Sequence, residues 1–150
     1  MAEELKLTGE QLFLRYAFPC ADTMLIIGKI DEEHFLELDQ LVKSNGQPRR
    51  RLFPFCFPNA FRKLRKYAEE NGLKRWALST VQDLWRNHHD HEGDCRVRRC
   101  TVVEVDDGGV IITVLCGEEQ FATINLYHLP ILLDNVVYVH RKVVVEIEGF

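Results

Sequence analysis

The stretch CTVVEVDDGGVIITVL, residues 100 to 115, decides the fold. CTVVEV (100 to 105) and VIITVL (110 to 115) are dominated by β-branched residues. Between them, Asp106-Asp107-Gly108-Gly109 supplies residue types that tolerate the positive φ a tight hairpin demands. The reading is strand, turn, strand. Three further β-rich runs follow: QFATINL (120 to 126), VVYVH (136 to 140) and KVVVEIE (142 to 148). Five short strands in so little chain bury a core only by curling into a small barrel, which also protects their edges. The expectation is a closed or nearly closed OB-like or SH3-like barrel.

Upstream the hydrophobic period changes to that of helices. Thr8-Gly9-Glu10-Gln11 fits a capping box, after which Leu12, Phe13, Tyr16 and Ala17 recur at helical spacing until Pro19. A short apolar segment stands at Met24 to Ile27. Asp31 caps a helix whose stripe is Phe35, Leu38, Leu41 and Val42, and Asn45-Gly46 stops it. Gln47 to Pro58 holds three prolines and a basic triplet and reads as a loop. Asn59 opens a helix that Asn71-Gly72 ends. A last helix is expected from about Lys74 to Asn87, burying Trp76, Ala77, Val81, Leu84 and Trp85. The fold class is therefore α+β: a helical region over 1–92 followed by a five-stranded small β-barrel over 93–150.

Composition narrows the setting. With 150 residues, 46% of them hydrophobic, the chain can build a real core. The start, MAEELKLTGEQ, lacks a basic n-region and an apolar h-region, and no apolar run approaches the ~20 residues needed to span a bilayer. A cytoplasmic, membrane-free protein is expected. The five cysteines, Cys20, Cys56, Cys95, Cys100 and Cys116, are odd in number and show no CxxC, which argues against a secreted disulfide framework and for buried thiols. Net charge is -4, yet residues 49 to 75 carry nine of the nineteen Lys and Arg against two acids. Arg49, Arg50, Arg51, Arg62, Lys63, Arg65 and Lys66 thus form a candidate anion-binding or partner-docking face.

Between the two halves lies HHDHEGDC, residues 88 to 95. His88 and His91 share an i, i+3 spacing, and His91-x3-Cys95 is a permissible ligand spacing, so both histidines are secondary candidate metal ligands. The competing reading is a hydrated connector. Its acids favour exposure, and a histidine near the last carbonyls of a helix is favoured by the dipole.

The segment from Cys95 to Glu148 resembles the HypC/HupF family of nickel-iron hydrogenase maturation chaperones. Val102 to Val105 resemble that family's first strand, Cys116-Gly117 its corner, Ile124-Asn125-Leu126 its third strand end and Val139-His140 its closing V-H. Cys95 then falls on the family's N-terminal cysteine and His140 on its histidine. This chain has Arg99 and Cys100 where the family has Pro and Gly, and Lys142 where it has Gly after the V-H. The resemblance implies that Cys95 and His140 hold an iron bearing carbonyl and cyanide ligands in transit. The implied partners are a HypD-type maturation protein and the hydrogenase large subunit.

A thiolate and a neutral imidazole suit Fe(II), with Zn(II) the alternative, and both must lose a proton to bind. Arg96, Arg98 and Arg99 bring positive charge to Cys95, which favours the thiolate. The role expected is non-enzymatic: no nucleophile-base pair, phosphate loop or carboxylate pair stands out. The alternative class is a nucleic-acid-binding protein. FRKLRKYAEENGLKRWALSTVQDLWRN (61 to 87) could be a helix-turn-helix, with the small barrel beside it. Against that, the barrel segment is not basic, and only Phe121, Tyr127 and Tyr138 offer stacking surfaces before Phe150.

Overall fold

The computed structural model describes residues 7–88 and 96–149. The chain forms two compact units, Met1–His89 and Asp90–Phe150, each described by itself.

In the helical unit, α1 (Gly9–Ala17) starts with the expected capping box: Thr8 accepts from the Gln11 N–H, and the Gln11 side chain returns a bond to the Thr8 N–H. A 3₁₀ turn over Phe18–Cys20 leads into α2 (Ala21–Ile26), where the sequence suggested only an apolar segment. Asp31 caps α3 (Glu32–Ser44), and Asn45 ends it in the left-handed conformation. The run read as a loop contains a short helix, α4 (Leu52–Cys56). Pro54 is tolerated because it sits in a first turn, where its missing N–H has no intrahelical acceptor to lose. Helix α5 (Pro58–Asn71) ends on Gly72, again left-handed.

The last helix begins later than expected. Ala77 is extended, α6 covers Leu78–Asp83, and the chain then widens into a π turn over Leu84–His88. The core is aromatic: Phe13 meets Phe53 at 4.8 Å and Trp85 at 5.3 Å, while Tyr16 stacks on Trp85 at 5.5 Å. Fully burying one such side chain contributes roughly 1.5–3 kcal/mol, so this cluster organises the unit.

The second unit is a closed barrel of β1 (Arg98–Val105), β2 (Ile111–Cys116), β3 (Glu119–Ile124), β4 (Val136–His140) and β5 (Val143–Ile147). Its order, β1-β2-β3-β5-β4 with β4 returning to β1, is that of an OB-type barrel. The β1–β2 turn uses Gly109 at φ +67°. A bulge between Val102 and Glu104 then shifts the β1–β2 register by one residue. The inward residues Val102, Ile112, Val114, Val137, Val139, Val144 and Ile147 fill the interior together with two thiols, Cys100 and Cys116. Buried Asn125 anchors the loop after β3. It donates to the carbonyls of Gly109 (3.0 Å) and Leu129 (2.9 Å) and accepts from the Leu129 N–H (2.8 Å).

Candidate functional site

One end of the barrel gathers the reactive side chains. There the start of β1 lies between the end of β2 and the end of β4, with Thr101 opposite Leu115 and Arg98 opposite Val139. Strand alternation sends Arg98, Cys100 and Val102 inward and Arg99 outward. Arg98 spans the rim: its guanidinium lies 5.1 Å from the Phe121 ring centroid and 2.9 Å from Glu119. Lys142 approaches the same ring at 4.6 Å. Outside, Arg99 makes a fork to Glu148 at 2.8 and 2.9 Å, and the Tyr138 hydroxyl donates to the same carboxylate at 2.7 Å. Two of the three arginines expected around Cys95 are therefore paired with carboxylates.

Below Arg98 sit Cys100 and Cys116, both free thiols and both buried. The Cys100 thiol donates to the Arg98 carbonyl at 3.8 Å and that of Cys116 to the Arg99 carbonyl at 3.4 Å. Burial first, then the hydrogen bond with Cys116, holds Cys100 well above the ordinary thiol range.

Of the two metal ligands implied by the resemblance, Cys95 lies outside the described residues; so does His91, a secondary candidate from its spacing. His140 is the last residue of β4, opposite Val143 across a two-residue hairpin, and is completely buried. Val139 belongs to the barrel core, so His140, one residue on, faces the other side of the sheet from Cys100 and Cys116. The thiol pair and the imidazole accordingly do not form one ligand set. No group of three or more His, Cys, Asp or Glu side chains able to hold a metal occurs among the described residues.

His88 is engaged locally. Its ring stacks on Tyr67 at 4.8 Å, and its Nε2 lies 3.5 Å from Asp83. The Tyr67 hydroxyl donates to Asp83, whose other oxygen accepts from Asn87 at 2.8 Å. These bonds, Tyr67 first and Asn87 second, hold the Asp83 carboxyl below the usual range; the same Tyr67–Asp83 bond pushes the Tyr67 hydroxyl up.

The basic face divides into two kinds of cation. Arg49 pairs with Glu37 at 2.8 Å, Arg50 with the buried Glu10 at 2.7 Å, and Arg62 donates to Asn59 at 3.1 Å. These side chains hold the loop and α5 in place. Arg51, Lys63, Arg65 and Lys66 have no carboxylate partner among the described residues. Arg51 also lines a groove of about 830 Å³ whose walls include Phe61, Leu73 and Trp76 and whose rim carries Arg50, Lys74 and Arg75. The sequence showed the charge there. It gave no sign that Leu73 and Trp76 form a groove, because 74–77 reads as the start of the last helix and is not helical. That segment also lengthens the link between α5 and α6 to Gly72–Ala77, beyond the three to four residues of a helix-turn-helix.

Among the described residues no helix is long and apolar enough to cross a membrane. The chain matches no family model, no curated protein and no solved structure.

Proposed function

We propose that the protein is a non-enzymatic chaperone or adaptor in metallocentre maturation, acting in the cytoplasm, with a ligated iron as its cargo. Cys95 and His140 are the proposed holding residues, and a HypD-type protein and a hydrogenase large subunit the proposed partners. The observation that supports this reading is the β1–β4 register. Arg98 pairs with Val139, so the start of β1 and the end of β4 that carries His140 lie side by side. Cys95 precedes Arg98 by three residues, a reach of at most about 10 Å along the chain. Thiolate and imidazole are the donors a borderline Fe(II) cargo accepts, and transfer requires that both be regenerated by protons or by an incoming ligand. The complete burial of His140 means that loading and release have to uncover it. Arg51 and Lys74, which line the groove beside Phe61, Leu73 and Trp76, are the proposed docking point for an acidic partner segment.

Anaerobic iron binding tests the assignment on the intact chain, comparing the parent with Cys95→Ala, His140→Gln and a triple change of His88, His89 and His91 to Ala. The parent and the triple variant are expected to retain iron, and the two single variants to lose it. Retention by Cys95→Ala together with loss in the triple variant would move the site to the histidine cluster. A parent that binds no iron would remove the cargo reading.

A further inference from the structure

We infer that Cys100 and Cys116 are an oxidative modification site, a dithiol that hydrogen peroxide converts into a cross-strand disulfide within the barrel. Thr101 is opposite Leu115, and the next step towards the barrel end brings Cys100 opposite Cys116. The bulge at Val103 makes this so, because the register nearer the turn, Val105 opposite Ile112, would have set Cys100 against Gly117. Both side chains point into the same interior and belong to one core cluster. Directly opposed residues of an antiparallel pair have Cα atoms about 4.5 or 5.5 Å apart, and both values lie inside the roughly 4.4–6.8 Å range that a disulfide spans. Closure therefore needs a change of side-chain rotamer and little movement of the backbone.

The two sulfurs are not equivalent. Cys116 keeps 9% of its surface exposed against 2% for Cys100, so it is the one an oxidant meets first. Cys100, held protonated by burial and by its bond to Cys116, stays inert until its neighbour has reacted. In the first step the Cys116 sulfur attacks one peroxide oxygen and the O–O bond breaks. A sulfenic acid forms, and the released hydroxide takes the thiol proton to become water. In the second, the Cys100 sulfur attacks the Cys116 sulfur, the S–S bond forms and the S–O bond breaks, and the departing hydroxide leaves as water with the Cys100 proton. The two thiols give up two electrons and two protons, and one peroxide becomes two waters. The product staples β1 to β2 where β1 begins, directly after the connector that carries Cys95.

Trypsin makes the test direct on the unaltered chain. It cuts after Arg99 and next after Arg141, so one peptide, Cys100–Arg141, holds both cysteines and no other, while Cys95 lies in a separate peptide. Reduced protein is treated with hydrogen peroxide, denatured with iodoacetamide, digested and weighed. The expected result is a Cys100–Arg141 peptide lacking two hydrogens and carrying no alkyl group, reverting to the doubly alkylated form after dithiothreitol. A thermal melt of the oxidised protein is expected to shift upward by several degrees and to return on reduction. Three results would each overturn the inference: a peptide alkylated at both positions under conditions that oxidise Cys95, Cys95 cross-linked to Cys100 or Cys116, or Cys116 carried to the sulfinic acid with Cys100 still alkylated.

Discussion

Gly9, the first residue of α1, lies directly against the backbone carbonyl of Trp76, and a Cβ at this position would overlap that oxygen. Backbone is on both sides of the contact, so no flexible side chain can give way. Gly9→Ala is expected to destabilise the helical unit by about 1–3 kcal/mol, although alanine is the better helix former. Denaturant unfolding followed by tryptophan fluorescence checks it, and an unchanged midpoint would mean that α1 and the 76–77 backbone can separate at little expense.

Asn125 is the polar pin of the barrel. Its amide satisfies Gly109 and Leu129 carbonyls and the Leu129 N–H from a site only 7% exposed. Asn125→Ala takes the side-chain partner from the Gly109 carbonyl and the Leu129 N–H, while the Leu129 carbonyl keeps the Ile131 N–H at 2.9 Å, and is expected to cost about 2 kcal/mol. Asn125→Asp keeps the acceptor and the shape but loses the donor. It should be comparably damaging at neutral pH and less so in acid, where the carboxyl regains a proton to donate. Chemical denaturation of the two variants at neutral and mildly acidic pH separates these effects.

Acid sensitivity of the helical unit should trace in part to Asp83. The folded chain holds this carboxyl below its ordinary value, chiefly through the Tyr67 hydroxyl, whereas unfolding returns it to about 3.9. Its contribution is complete above that value and is lost as pH falls through it towards the folded value. Between about pH 6 and about pH 3 the parent should therefore lose stability more steeply than Asp83→Asn, with Tyr67→Phe intermediate. Parallel melting curves across that range would show that the bond contributes nothing.

The β4–β5 hairpin turns on Arg141 and Lys142, both at positive φ, +52° and +67°. A left-handed residue other than glycine costs about 1 kcal/mol, and the Lys142 ammonium over Phe121 returns about 0.5–1 kcal/mol. Lys142→Gly removes both terms and is expected to change stability by less than about 0.5 kcal/mol. Lys142→Val keeps the strain, adds a branched Cβ and loses the cation, so a loss of about 1–2 kcal/mol is expected. Thermal unfolding of the pair decides whether the two terms offset as stated.

What the chain declares in advance is whatever a local rule governs. Thr8 and Asp31 cap helices, Asn45 and Gly72 end them, and Asp106 to Gly109 turn a hairpin, because each residue type solves a problem posed within a few positions of itself. The misses are non-local. Trp76 and Ala77 continue a helical period, yet the chain turns at Arg75 and Trp76, is extended at Ala77, and sets the Trp76 carbonyl against Gly9. The helix at Leu52–Cys56 was hidden by prolines that happen to fall where no hydrogen bond is lost. The pairing of Cys100 with Cys116 depends on one extra residue at Val103, and nothing in VVEV announces a bulge. His140 was legible as the end of a strand. Its complete burial was not, because burial belongs to the assembled chain.

The barrel closes between β3 and β5 through a single parallel pair, Ile124 with Val143, reinforced by the Ile124 N–H to the Lys142 carbonyl at 2.9 Å. Every other join runs over several residues of antiparallel ladder. The structure is thus a sheet rolled until its margins just touch, with a seam one stitch long. A seam of that kind parts before any ladder does. The left-handed Lys142 that sets the hairpin also carries the carbonyl that fastens it, so a turn of two left-handed residues and the shortest join of the barrel are one place.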